Sequence, residues 1–153
     1  MKKWEDLCLP AIKDSHLKAM LELQYTHYHY SRMKESVLKP FGVSFEQFNA
    51  LKVLQSEYPQ SVSLKEVQMQ LINQTKNTTR LVDKLTKSGF VISKINPENK
   101  RQLQIKITPK GLEILSKIEE PLDKLLAKIK SVISEEEAKQ LSSILSKIYS
   151  LPG

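Results

Sequence analysis

Between Ser15 and Leu38 the apolar residues fall into two stripes at helical spacing. Leu17, Met20, Leu21, Tyr28 and Leu38 share roughly one side of a helix, while Ala19, Leu23, Tyr30, Met33 and Val37 share another. A helix that is apolar on two sides needs two surfaces to pack against. Pro40 and Gly42 end it. Ser44-Phe45-Glu46-Gln47 has the spacing of a capping box, in which the Ser44 hydroxyl accepts from an orphan N–H and Gln47 reaches back. Phe48, Leu51 and Leu54 then give a second helix its inward stripe, and Pro59 closes it. Ser63-Leu64-Lys65-Glu66 repeats the box and opens a short helix with Leu64, Val67 and Leu71 inward.

The next helix is expected to start near Asn73 to Thr75, with Thr78, Leu81, Val82 and Leu85 facing the core and the polar side chains pointing out. Gly89 suits a left-handed C-cap, where the missing Cβ removes the steric penalty. There the period switches to two. Phe90 to Ile95 reads as a strand, and Leu103-Gln104-Ile105-Lys106-Ile107 alternates strictly, as a half-buried strand should. A basic loop joins them. Thr108-Pro109 starts a further helix, with Thr as cap and Pro in the first turn. Leu115, Ile118, Leu122, Leu125, Ile129 and Val132 follow at spacings of 3, 4, 3, 4 and 3, a heptad seam in which Pro121 predicts a kink or a frayed turn. Ser134-Glu135-Glu136-Glu137 caps a last helix carrying Ala138, Leu141, Leu145 and Ile148. A helix with a polar start feeding a β-hairpin is the layout of a winged helix-turn-helix.

Charge sharpens that picture. From Asn73 to Lys106 there are eight Lys or Arg against two acids, so this stretch holds +6 of the chain's net +7. A local excess of this kind favours nucleic acid over a membrane surface. The 153 residues suffice for one domain with a real core, and their 40% apolar and 27% charged composition is ordinary for a globular protein. With only four glycines the chain should be mainly helical. No apolar run approaches the roughly 18 residues that span a bilayer. The N-terminus, with Glu5, Asp6 and Lys13, is unlike a signal peptide, so a cytoplasmic location without membrane partners is expected. A lone Cys8 excludes an intramolecular disulfide.

The 68 residues from Ser44 to Gly111 resemble the MarR family of transcriptional regulators. The resemblance is carried by Ser-Phe-Glu-Gln-Phe-Asn-Ala-Leu opening one helix and by Thr-Thr-Arg-Leu-Val-Asp-Lys-Leu in the recognition helix. Ser-Gly-Phe-Val leaves that helix, and Ile-Thr-Pro-Lys-Gly follows the wing. The flanking helices agree in number and order. The resemblance implies a mainly α fold with a small β-hairpin wing (α+β), as a single domain over 1–153. A winged helix-turn-helix core at 44–111 would be flanked by dimerisation helices at 1–40 and 112–153, with the recognition helix at about 74–88 and the wing at about 90–107. It further implies a homodimer gripping successive half-sites of a pseudo-palindromic double-stranded DNA, usually as a repressor released by a small ligand. The two-sided first helix and the heptad seam argue independently for such an interface. One departure concerns the wing, where the family commonly carries Asp-x-Arg and this chain has Asn99-Lys100-Arg101. The amide can still accept a hydrogen bond, but without charge assistance.

A recognition helix in the major groove presents its N-terminal side chains to base edges. Thr75, Lys76, Asn77, Thr79 and Arg80 fall there, with Asn77 suited to adenine and Arg80 to guanine. Lys84 and Lys87, further along, would meet phosphate. In the wing, Asn99, Lys100 and Arg101 complete the set, Arg101 suiting a narrow minor groove. Asp83 is expected to pair with Arg80 or Lys87 on the helix surface.

Tyr25, Tyr28 and His29 belong to an aromatic patch that reads first as interface core and second as the wall of a cavity for an apolar or phenolic effector, between dimer and DNA-binding layers. His27 and His29, two residues apart on a helix, diverge too far to share a metal. No histidine occurs after residue 30, and neither metal nor cofactor is expected. Cys8 has no close cation to lower its pKa and reads as an ordinary thiol. Without a phosphate loop, nucleophile elbow or ligand cluster, the chain reads as a non-enzyme. The competing reading is a protein-interaction scaffold that uses the winged-helix surface without specific DNA binding.

Overall fold

The computed structural model describes residues 12–71, 77–97, 99 and 102–151. Among these residues six α-helices and a small sheet follow in the expected order. Helix α1 spans Ser15–Leu38, the stretch marked by the two apolar stripes, and is capped by Asp14, whose carboxylate accepts from the amides of His16 and Leu17. A 3-10 turn at Lys39–Phe41 ends on Gly42 at φ +65°, a left-handed conformation that glycine adopts without a Cβ clash. Helix α2 is Phe45–Ser56, strand β1 Val62–Ser63 and helix α3 Leu64–Gln70. Helix α4 is Thr78–Lys87, strands β2 and β3 are Val91–Ile95 and Leu103–Ile107, helix α5 is Pro109–Lys130 and helix α6 is Glu135–Tyr149.

All three capping boxes form. Ser44, Ser63 and Ser134 each accept from the amide three residues on, and Gln47, Glu66 and Glu137 return the bond to the cap amide at 2.7–2.8 Å. The expected hairpin pairs Val91 with Ile107 and Ile95 with Leu103, but it has a third strand. β1 lies on the far side of β3, with Val62 opposite Ile105, giving the order β1-β3-β2. A two-residue strand has no period to read. Ser63, buried at 2% exposure, serves both as its last residue and as the cap of α3.

The main core gathers Leu51 and Leu54 from α2, Val67 from α3, Val82 and Leu85 from α4, and Ile105 and Ile107 from β3, closed by Leu115 of α5. Each of these side chains contributes roughly 1.5–3 kcal/mol by leaving water. A second cluster joins Leu38 at the end of α1 to Ile118 of α5, and Phe48, Phe90 and Ile114 touch both clusters. The winged-helix core is therefore packed directly on the long helix.

Of the kink or frayed turn expected at Pro121, the frayed turn does not occur, since helix α5 runs unbroken through it. One expectation about the C-terminal helices is corrected. The heptad seam stops at Ile129, because the helix ends at Lys130 and Val132 is left 76% exposed. Helix α6 buries none of its residues, and Leu141 and Ile144 are about half exposed, as are Leu17 and Tyr28 of α1. None of the helices among the described residues is long and apolar enough to cross a membrane.

Candidate nucleic-acid interface

Helix α4 is amphipathic because its apolar side chains recur at three- and four-residue spacing. Thr78, Val82 and Leu85 are buried against the core, while Thr79, Arg80, Asp83, Lys84 and Lys87 lie exposed on the other side. The helix begins at Thr78, later than the expected start near residues 73–75, with Asn77 in the cap position at φ −109° and ψ 22°. Asn and β-branched Thr both favour cap and turn conformations over a helix interior, which accounts for the late start. The Asn77 side chain makes no capping bond and is exposed at the mouth of the helix. Thr75 and Lys76 lie outside the described residues. The structure thus brings together Asn77, Thr79, Arg80, Lys84 and Lys87. Asp83 forms no ion pair among the described residues, so its expected bond to Arg80 or Lys87 is absent; both cations extend toward solvent instead.

Beside α4 stands the start of α2. Ser44, Glu46 and Gln47 share with Asn77, Arg80, Leu81 and Lys84 a recess of about 350 Å³. The sequence marks Ser44 and Gln47 as a capping box, but no period along the chain could place that box next to α4. Glu46, which accepts from the Ser44 hydroxyl at 2.9 Å, puts a second carboxylate, in addition to Asp83, beside the cations of α4.

Among its described residues the wing carries two further cations. In the β2–β3 register Ile92 opposes Lys106 and Lys94 opposes Gln104, so Lys94 and Lys106 point to the face opposite the buried Val91, Ile105 and Ile107. For Lys106 the strict alternation of Leu103 to Ile107 was the available signal. At the tip, Gln102 donates its amide to the Asn99 carbonyl and Asn96 donates to Gln102, each at 2.8 Å, and Asn99 is exposed. Lys100 and Arg101 lie outside the described residues.

A groove of about 520 Å³ runs between α1 and α5. Of the three aromatic residues expected around an effector, only His29 lines it; Tyr25 and Tyr28 do not. They pack on the His29 ring instead, edge to face, at centroid distances of 4.5 and 6.0 Å. The rest of the lining is Met33, Val37, Pro121 and Leu125, with Arg32, Lys124 and Lys128 as cations and Ser36 as a polar group. The groove therefore lies within the helical layer, not between that layer and the winged helix. Nearer α2, the Lys34 ammonium sits 3.6 Å from the Phe45 ring centroid and 4.5 Å from that of Tyr30. Burial pushes its pKa down, and Glu35 and Glu46 oppose the shift. Among the described residues no three His, Cys, Asp or Glu side chains converge as a metal site requires.

Residues 43–103 match the model of the MarR family. The HTH-type transcriptional regulator YkoM of Bacillus subtilis (strain 168) is 33% identical over 110 residues, covering 71% of this chain and 70% of YkoM. The chain belongs to the MarR family. A second MarR-type relative, the transcriptional repressor MprA of Escherichia coli (strain K12), is 30% identical over 117 residues, which are 76% of this chain and 66% of MprA. The chain thus spans just under two thirds of that repressor's length. In structure it is similar to S. aureus MepR, solved as a DNA complex, with a TM-score of 0.77 at 17% identity over 86% of this chain and 96% of MepR. In this chain α4 leads directly into the β2–β3 hairpin.

Proposed function

We propose that the chain is a homodimeric, sequence-specific double-stranded DNA-binding transcriptional regulator acting as a repressor in the cytoplasm. The observation that carries this reading is the segregation of α4: one face is locked into the core by Thr78, Val82 and Leu85, and the other presents Asn77, Thr79, Arg80, Lys84 and Lys87. Base edges are read by Asn77 and Arg80, assisted by Thr79 and by the neighbouring Thr75 and Lys76. Phosphates are met by Lys84 and Lys87, while the wing residues Asn99, Lys100 and Arg101 anchor the complex, with Arg101 in the narrow minor groove and the outward Lys94 and Lys106 adding charge. Its role is binding, and no residue is assigned to catalysis.

The helices at 1–40 and 112–153 form the dimer layer in this reading. The unburied α6 and the exposed apolar residues of α1 support it, since a lone protomer leaves them in water. A dimer would address a pseudo-palindromic operator with half-sites about 34–36 Å apart. The α1–α5 groove suits a small effector with an apolar or phenolic body, and its three cations favour the ionised form.

Selection of bound duplexes from a random pool tests the proposal. Recovery of a two-fold symmetric sequence whose binding weakens steeply with salt is the expected result. Salt-insensitive binding, or no enrichment, would sink it and favour the protein-interaction scaffold.

A further inference from the structure

The turn that ends α4 is clasped by the first turn of α5. Thr108 donates its amide to the Phe90 carbonyl at 3.0 Å, and its hydroxyl faces the carbonyls of Gly89 and Phe90 at 2.8 and 3.1 Å. Lys110 adds a contact of another kind. Its ammonium donates to the carbonyl of Ser88, the C-cap of α4, at 2.8 Å. Its stem lies across Gly89, where a Cβ would sit 3.7 Å from both Cδ and Nζ, and its ammonium stands 5.4 Å from the Phe90 ring centroid.

The Thr108 contacts are what any tight strand-to-helix turn needs. Lys110 is exposed and could leave its ammonium in water, at a gain in rotamer entropy. Instead the charge is held at the negative end of the α4 dipole, where a cation is favoured. A helix of ten residues is roughly 15 Å long, so a tilt of about 4° at Ser88 moves its other end by about 1 Å. That displacement is enough to take a base-edge hydrogen bond out of its distance range.

We infer that Lys110 is a positioning residue for DNA recognition: by holding the C-terminus of α4 on the long helix, it fixes where Asn77 and Arg80 meet the bases. The inference rests on the DNA-binding reading above. It makes Lys110 a contributor to specificity without a contact to DNA.

The test uses the full chain with Lys110→Met, which keeps the stem and removes the donors, and Lys110→Arg, which keeps a charged donor. The probes are duplexes enriched by the wild-type protein from a random pool, and a random-sequence duplex of equal length. Lys110→Met is expected to lower the ratio of selected to random affinity about fivefold, with an unchanged salt slope on the random duplex, and Lys110→Arg to restore most of that ratio. Amide exchange at Gly89 and Phe90 should quicken in Lys110→Met. An equal loss on both duplexes, with the slope falling by about 1, would make Lys110 a phosphate contact and overturn the inference. So would an unchanged ratio. If the wild-type protein enriches no duplex, the DNA-binding reading itself fails; the exchange rates then decide the anchor alone, and unchanged rates remove it.

Discussion

Gly111 is packed so closely on Phe90 that a Cβ at position 111 would overlap the Phe90 carbonyl oxygen and stand 2.7 Å from Ile107 Cγ1. Alanine normally stabilises a helix interior over glycine by roughly 0.5–1 kcal/mol. In the first turn of α5 the sign should reverse, because the atom in the way is backbone and cannot rotate aside. Gly111→Ala is expected to lower unfolding free energy by about 2–3 kcal/mol, read from the urea midpoint. A variant as stable as the parent would show that the two segments can separate at little cost.

The two ends of the α4 cationic face should behave differently. Arg80 lies in the first turn, where base edges are reached, and Lys87 is the last helical residue. Arg80→Ala should relax base preference at one position, costing about 1–3 kcal/mol on the selected sequence and much less on random duplex. Lys87→Ala should weaken all sequences alike and reduce the salt slope by about 1. Competition binding at several salt concentrations separates the two. Uniform loss in both variants would contradict the assignment of roles.

Helix positions, caps and the β2–β3 wing were legible because each rests on neighbours in the chain: Ser44 on Gln47, Thr108 on Pro109 and Gly111, Leu103 on its alternating successors. What escaped depends on separation in sequence. β1 is a strand only because Ile105 lies beside Val62, 43 residues earlier. Likewise, Glu46 borders Arg80 and Lys84 only because the start of α2 stands beside α4. The groove residues Lys124 and Lys128 face His29 through the crossing of α1 and α5, which no local period encodes. The aromatic patch is read only in part along one helix: Tyr25 and Tyr28 pack on the His29 ring, and of the three only His29 lines the groove, which the crossing of α1 and α5 creates.

Acid should erode part of the stability through the capping boxes. The Glu66 carboxylate is held below its ordinary pKa by hydrogen bonds from the Ser63 hydroxyl and amide, and that of Glu137 by bonds from the Ser134 amide and hydroxyl. Ion pairing with Lys117 and Lys124 lowers Glu113 and Glu120 in the same direction. A depressed folded-state pKa means stability that is fully present above the unfolded value, about 4.3 for Glu, and lost as pH falls through the lower folded value. The unfolding midpoint should therefore drop on acidification in that window. Glutamine can serve the same box, as Gln47 does, without titrating. The double variant Glu66→Gln, Glu137→Gln should accordingly show a shallower acid dependence than the parent. Parallel pH profiles would exclude these boxes as its source.

Helix α6 displays Leu141 at 49% and Ile144 at 53% exposure, and both lie on a helix with no buried residue in the protomer. Apolar side chains at this spacing on an uncovered helix require a second surface. If the partner is another copy, Leu141→Asp with Ile144→Asp places two carboxylates in the contact, and sedimentation should show a monomer in place of a dimer. The winged-helix core shares no side chain with that surface, so helical content and binding to a single half-site should persist. Affinity for the full selected duplex should fall by roughly 10²–10⁴, because the second half-site is no longer met at the high effective concentration that a joined pair provides. A double variant that remains dimeric and keeps its full-site affinity would move the interface away from α6.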